Sequence, residues 1–165
     1  MLSRTFMEQN VNAAPRGTLL SHIELNVSDY TKSIRFYDLI LTPLGWRRLV
    51  TQKSHTVFSD GQMKIILSPV IDEHKTPLFH RKKVGLNHLA FYASSRKFVD
   101  DYVTSVLKPN GIQALYPQDT RGDDTYYAVY FEDPDRIKIE VVFAPGYCSA
   151  EHWTNKFEND FDPYK

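Results

Sequence analysis

The chain contains an internal repeat in which a histidine holds the same place in both copies. The stretch SHIELNVSDYTKSIRFYDLILTPLGW, residues 21–46, corresponds to NHLAFYASSRKFVDDYVTSVLKPNGI, residues 87–112, when the second is moved back by 66 positions. His22 then falls on His88. Self-similarity of this kind indicates two copies of one supersecondary unit that share a core, which excludes most other folds for a chain of this length.

Each copy of the repeat reads as a βαβββ module. It opens with an alternating strand, continues through polar residues whose serines are candidate helix caps, and then carries apolar residues at helical spacing up to a glycine, Gly45 or Gly111. Three more strands are predicted after each glycine: WRRLVTQ, HTVFSD and MKIILSP in the first copy, and IQALYP, YYAVYFED and IKIEVVF in the second. We expect an α+β fold in which two βαβββ modules form a curved mixed sheet around a cleft.

The repeat also sets the expected domain boundaries. They are an N-terminal extension over 1–18, a first module over 19–69, a linker over 70–84, a second module over 85–145, and an aromatic C-terminal tail over 146–165 that docks on the body. Toward the end of each module, corresponding residues of the two copies are 74 positions apart instead of 66. The second copy has additional residues around YPQDTRGDDT, which account for the difference. That polar stretch is predicted to be a loop, and inserted loops often carry function.

Charge and hydropathy narrow the kind of partner. The 165 residues include 20 basic and 20 acidic side chains without a sustained basic block, so nucleic acid and anionic membranes are not expected partners. The apolar runs are too short to span a bilayer, and the N-terminus has no apolar segment of signal-peptide length. We therefore predict a cytoplasmic protein whose partner is a small molecule.

Three residues that can bind a metal are predicted to share one face of the sheet. By the alternation of strand residues, His22, His88 and Glu140 all point away from the helices. Two neutral imidazoles and one carboxylate are a suitable ligand set for a single divalent ion such as Fe, Mn, Ni, Co or Zn, with positions left for water or substrate. The alternative is that Glu140 pairs with Lys138 or an arginine, and that each histidine bonds a backbone carbonyl.

Further polar residues are candidates for the same cleft. Glu24, on the face of His22, is a candidate general base, with an ion-pair partner as its alternative role. Four tyrosines are candidates for lining the pocket, where a phenol both packs and donates a hydrogen bond: Tyr92, Tyr126, Tyr127 and Tyr130. The residues predicted to bind substrate are Tyr92, Arg121, Lys138 and Ser68.

The paired modules and the ending FEDPDRIKIE resemble the vicinal-oxygen-chelate superfamily over residues 19–145. That superfamily includes glyoxalase I, extradiol dioxygenases, fosfomycin-resistance proteins, methylmalonyl-CoA epimerase and bleomycin-binding proteins. The resemblance implies a cleft enzyme that chelates adjacent oxygens of its substrate at a metal held by His22, His88 and Glu140. Arg136 stands where the family usually has glycine.

The resemblance also limits the chemistry. The family's fourth ligand position is occupied by Ile66, which cannot coordinate, so the resemblance does not extend to glyoxalase I or epimerase chemistry. Extradiol enzymes have a tyrosine at the position of Tyr130, which makes it a candidate catalytic residue, but RGDDTYYAV lacks their accompanying histidine. Fosfomycin-type addition calls for a basic cluster beside the metal, for which Arg121, Arg136 and Lys138 are the candidates.

Two alternatives stay open from the sequence. The first is a metal-free protein of the bleomycin-binding kind, which sequesters a small molecule in an aromatic cleft without turnover. The second concerns assembly, because the same repeat permits a cleft within one chain or a cleft formed by modules of two chains in a homodimer.

Overall fold

The computed structural model describes residues 20–147 and folds them into two four-stranded sheets, each with one principal helix. The strands are β1 His22–Val27, β2 Arg47–Thr51, β3 Thr56–Ser59, β4 Lys64–Pro69, β5 His88–Tyr92, β6 Thr120–Gly122, β7 Tyr127–Glu132 and β8 Lys138–Phe143. The helices are α1 Tyr30–Leu41 and α2 Arg96–Tyr102, and a π-helical turn, Val103–Leu107, continues α2. Short 3₁₀ turns lie at Thr42–Leu44, Asp72–His74 and Lys108–Asn110.

The two sheets have the same topology. The strand order is β1-β4-β3-β2 in the first and β5-β8-β7-β6 in the second, with β1 parallel to β4 and β5 parallel to β8. Among residues 20–147 neither sheet closes into a barrel. The predicted α+β architecture of two βαβββ modules is confirmed. Within the described residues no helix has both the length and the apolar composition needed to cross a bilayer.

The helix ends follow local capping chemistry. The Asp29 carboxylate accepts a hydrogen bond from the Lys32 amide at 3.0 Å, and the Ser95 hydroxyl accepts one from the Phe98 amide at 3.0 Å. An aspartate therefore begins α1, and a serine begins α2. After the helix of each module the chain reverses at Gly45 (φ 87°) or Gly111 (φ 67°). Both residues are in the left-handed region, which glycine adopts easily because it has no Cβ atom.

One predicted strand is wrong. Residues 112–117 form no strand, although the Leu115 amide donates to the Tyr130 carbonyl oxygen at 2.8 Å. The strand that completes the second sheet is instead the short β6, inside the stretch predicted to be a loop. Pro117 has no amide hydrogen to donate to a neighbouring strand, so regular strand pairing begins only after it.

A single core joins the helix-bearing sides of both sheets. Leu25 of β1 and Leu89 of β5 are buried in the same cluster, together with residues of both helices. The Tyr102 hydroxyl of α2 donates to the Ile40 carbonyl oxygen of α1 at 2.8 Å. Because the modules meet through these sides, the opposite face of each sheet lies outside the shared core.

Two buried carboxylates before β8 also connect the modules. Asp133 accepts a hydrogen bond from the Tyr37 hydroxyl of α1 at 3.0 Å, and Asp135 accepts the amide of Ser28 at 3.0 Å and its hydroxyl. Ser28 therefore bonds to the second module and does not cap α1. Arg136 completes this turn with a φ of 71°, the left-handed conformation that glycine usually supplies.

The buried Asp133 should make stability depend on pH. Burial raises its pKa from 3.8 to about 6. A carboxyl whose pKa is raised in the folded state is most stabilising while protonated, so its contribution falls as pH rises from about 4 to about 6, by about 3 kcal/mol. We expect the unfolding free energy of the wild type, relative to Asp133→Asn, to fall over this interval and to be constant above pH 7. Urea unfolding at pH 4, 5, 6 and 7 measures the difference, and a constant difference would contradict the burial argument.

The predicted N-terminal extension and the tail from residue 148 onward lie outside the described residues, so the docking of that tail stays a prediction.

Candidate metal centre

Glu140 is the most buried charged side chain near the outer face of the second sheet. It lies at the centre of β8 with 0% of its surface exposed. A small second cluster surrounds this face, made of Ala128, Val142 and Ala144 with Tyr126, Tyr130 and Tyr147 packed against them. A buried carboxylate is costly unless another charge or hydrogen-bond donor compensates it. The neighbours of its two oxygens therefore determine what this site can bind.

His88 faces one of those oxygens from the adjacent strand. Its Nε2 atom lies 2.9 Å from Glu140 Oε2. On the other side of the ring, Nδ1 lies 2.7 Å from the side-chain oxygen of Asn87, so Nδ1 is the donor in that contact. In the neutral ring this leaves Nε2 as an acceptor with its lone pair directed to the carboxylate.

This pair fits a divalent metal ion. Glu140 Oε2 is buried and has no hydrogen-bond partner with acceptable geometry, and a neutral His88 presents a second acceptor to it. Two facing acceptors require a positive charge between them, either a proton or a cation. Nitrogen and oxygen ligands bind zinc at about 2.0–2.2 Å. Two ligands of one such ion then lie about 3 Å apart at a right angle and about 3.4 Å apart at the tetrahedral angle, and these two atoms are 2.9 Å apart. The donor set contains only nitrogen and oxygen, which suits Fe, Mn, Ni, Co or Zn.

Two tyrosines cover the other carboxylate oxygen. The Tyr126 hydroxyl donates to Glu140 Oε1, and the Tyr130 hydroxyl lies 3.5 Å from the Tyr126 hydroxyl. Burial, followed by the hydrogen bond to Glu140, raises the pKa of Tyr126 well above its ordinary value, and burial raises the pKa of Tyr130 to about 12. Both phenols are therefore protonated at neutral pH and available as donors.

A positively charged aromatic patch lies on the same face. Lys138 Nζ is 4.1 Å from the ring centre of Tyr130, and the Arg121 guanidinium is 4.4 Å from that of Tyr116. Lys138 is also the register partner of His88 across the β5–β8 pair. Within residues 20–147 neither cation lies within ion-pair distance of a carboxylate. The patch therefore has uncompensated positive charge close to the metal ligands.

The concavity next to the pair has a volume of about 230 Å³. Its walls are His88, Ala90, Tyr92, Tyr126, Glu140, Val142 and Tyr147. The predicted pocket residue Tyr92 is thus placed beside His88, whereas Tyr127 points to the opposite side of β7, where its hydroxyl donates to Asp100 at 2.8 Å. Tyr130 is the register partner of Glu140. Residues 126, 128 and 130 share one side of the chain by period-two alternation, and this signal in the sequence separates Tyr126 and Tyr130 from Tyr127.

The candidate residues of the first module lie apart from this pair. His22 is exposed at the start of β1, with Nδ1 3.2 Å from the Ser21 hydroxyl. The Ser68 hydroxyl donates to Glu24 at 2.6 Å on the same sheet. In the described part of a single chain, no three histidine, cysteine, aspartate or glutamate side chains come together as a metal cluster. The structure therefore brings together His88 and Glu140 but does not bring His22 to them within one chain.

The chain is similar to one protein superfamily and to several known proteins. The model of the Glyoxalase/Bleomycin resistance protein/Dioxygenase superfamily matches residues 19–141. The protein YqjT of Bacillus subtilis is 38% identical over 125 residues, which are 74% of this chain and 97% of YqjT. The metallothiol transferase FosB of Staphylococcus epidermidis is 32% identical over 122 residues, which are 74% of this chain and 81% of FosB.

A solved structure supports the same relationship. The crystal structure of a protein from Bacillus halodurans, assigned as a glyoxalase, superimposes with a TM-score of 0.69 at 39% identity. The match covers 76% of this chain and 95% of that protein.

Proposed function

The chain belongs to the glyoxalase/bleomycin resistance protein/dioxygenase superfamily, and from this premise we propose that it is a divalent-metal-dependent enzyme acting on a small, oxygen-rich, anionic molecule. Transfer of a thiol to such a molecule is the first reaction to test. The observation that carries the proposal is the buried, unpartnered Oε2 of Glu140 at 2.9 Å from His88 Nε2.

His88 and Glu140 would hold the ion together with His22. A bound divalent ion would polarise two adjacent substrate oxygens and stabilise negative charge that develops on them. Residues of the chain itself orient the metal ligands. Asn87 holds the His88 ring by its Nδ1 hydrogen, so that Nε2 faces the carboxylate.

The cationic patch supplies substrate orientation in this proposal. Lys138 and Arg121 are held over tyrosine rings and have no carboxylate partner among the described residues, so an anionic substrate group gains their charge without breaking an ion pair. A phosphonate or carboxylate is the class of group that fits two such cations. Tyr92 would line the pocket, and the protonated Tyr130 hydroxyl would be a donor to a substrate oxygen.

A second copy of the chain would complete the ligand set. His22 lies on the face of the first sheet that is outside the shared core, and the His88 and Glu140 pair lies on the corresponding face of the second sheet. A two-fold dimer that places the first sheet of one chain against the second sheet of the other forms two equivalent sites, each with His22 from one copy. Glu24, close to His22 and bonded to Ser68, would enter the same cleft as a candidate base.

The relatives support thiol transfer over the other reactions of the superfamily. FosB, a metallothiol transferase by name, aligns with 74% of this chain at 32% identity. Ile66, the register partner of Glu24, has no metal-ligating atom, so the metal would keep an additional position for substrate or water. Metal-free sequestration is the less favoured function, because a buried carboxylate oxygen without a hydrogen-bond partner is costly and an aromatic binding cleft does not need one.

Metal loading tests the proposal. Purified protein is stripped with chelator, reloaded separately with Fe(II), Mn(II), Co(II), Ni(II) and Zn(II), and analysed for bound metal. We expect about one ion per chain for at least one metal, as one complete ligand set per chain in a symmetric dimer requires. The loaded protein is then assayed with cysteine as the thiol and with epoxides, dicarbonyls and catechols that carry an anionic group. Absence of stoichiometric binding for every ion would exclude a metalloenzyme.

A further inference from the structure

We propose that Tyr126 is a positioning residue for the metal ligand Glu140, and that the loop of residues 123–126 holds it in place. This inference rests on the proposed metal function. Tyr126 would not bind the metal itself. It would act by fixing which carboxylate oxygen is available to the ion.

The two oxygens of Glu140 have different surroundings. Oε1 accepts the Tyr126 hydroxyl, whereas Oε2 faces His88 Nε2 and lacks a hydrogen-bond partner. A carboxylate held by one oxygen cannot rotate freely, and its other oxygen is directed at the position of the ion. Hydrogen bonds of this kind orient metal ligands and contribute strongly to metal affinity.

The backbone of the loop fixes Tyr126 in turn. Asp123 accepts hydrogen bonds from the amides of Thr125 (2.7 Å) and Tyr126 (3.1 Å), and its own amide donates to the Tyr126 carbonyl oxygen at 2.9 Å. Gly122 has a φ of 119°, and a Cβ atom there would meet the Tyr126 carbonyl oxygen at 1.8 Å. Only glycine permits this tight closure.

Ring packing provides the second restraint. The Tyr126 ring packs on Tyr147 with centroids 5.2 Å apart. The phenol is therefore held from the loop side and from the end of the described chain. Such supporting contacts keep a functional side chain within the narrow range of positions that ligand geometry requires.

The internal repeat separates this role from a general structural one. The position of Glu140 in the second module corresponds to Ile66 in the first. Both modules join their second and third strands by a four-residue loop, 52–55 or 123–126. The same backbone hydrogen bond closes each loop: the Gln52 amide donates to the His55 carbonyl oxygen at 2.8 Å, and the Asp123 amide donates to the Tyr126 carbonyl oxygen at 2.9 Å. The loop ends with a tyrosine only in the module that has the carboxylate, whereas the first module has His55 there.

Tyr126→Phe tests the inference, with Tyr127→Phe as the matched control. The control removes the hydroxyl of the adjacent tyrosine, which bonds Asp100 on the other side of β7. Both variants and the wild type are stripped of metal and titrated with Mn(II) by calorimetry and with Co(II) by visible absorption. Thermal unfolding of the metal-free proteins reports any loss of structure.

We expect Tyr126→Phe to bind Mn(II) about 10- to 100-fold more weakly than the wild type, with a changed Co(II) absorption spectrum. Tyr127→Phe should keep the wild-type affinity and spectrum. The two metal-free variants should unfold at similar temperatures, because each loses one tyrosine hydroxyl and its hydrogen bonds. A Tyr126→Phe protein much less stable than the control would indicate a structural role. Equal Mn(II) affinity of Tyr126→Phe and wild type would overturn this inference alone. Failure of the wild type itself to bind any ion would overturn the proposed function, and the positioning role with it.

Discussion

Replacement of Glu140 by glutamine should abolish tight metal binding while leaving the fold intact. Glutamine has nearly the same volume, so the buried position stays filled, but its neutral amide removes the charge that Oε2 presents beside His88. Loss of a direct ligand should exceed the effect of losing a supporting group, so we expect at least about a 100-fold loss of affinity. Calorimetric titration of the stripped protein with Mn(II) and Zn(II) measures it.

Thermal unfolding with and without metal gives an independent measurement. An ion at 100 times its dissociation constant stabilises the folded wild type by about 2.7 kcal/mol, and Glu140→Gln should lose this increment. Glu132→Gln is the control, because Glu132 is also on a central strand but its carboxylate pairs with Arg81 and Arg136 and not with His88. Metal binding by Glu140→Gln at wild-type strength would remove the carboxylate from the ligand set.

Mixed dimers of His22→Ala and Glu140→Ala chains should regain one metal site. Each variant alone should bind no ion tightly, because every site in its dimer lacks one ligand. In the mixed dimer, His22 of the Glu140→Ala chain would meet the intact His88 and Glu140 of the other chain. We expect about one ion per mixed dimer, compared with about two for the wild type. Coexpression with two different affinity tags and sequential purification isolates the mixed species for metal analysis.

The control for this experiment pairs His88→Ala with Glu140→Ala. Those two residues are 2.9 Å apart in one chain, so every site of this mixed dimer lacks one of them and no ion should be recovered. Recovery in the first combination alone identifies a site shared between chains. If neither mixed dimer binds metal, His22 does not act across the interface.

Strand alternation allowed much of this architecture to be predicted. The repeat around His22 and His88 indicated two βαβββ modules, and the polar faces of β1 and β5 are found where period-two patterning placed them. The prediction was wrong over residues 112–117, where alternating apolar residues occur without a strand. Periodicity reports which side of a segment is buried, and a loop that packs on the core produces the same pattern.

The local sequence thus determined the modules, their caps and the face on which each candidate ligand lies, because these depend on spacing along one strand or helix. Only the tertiary structure decided which faces meet. Packing through the helix-bearing sides places His88 with Glu140 and leaves His22 apart from them within one chain. It also brought Tyr126 onto Glu140, because that contact depends on the closure of the loop at Gly122. Contacts between segments distant in sequence depend on how whole surfaces pack, and no single strand or helix encodes them.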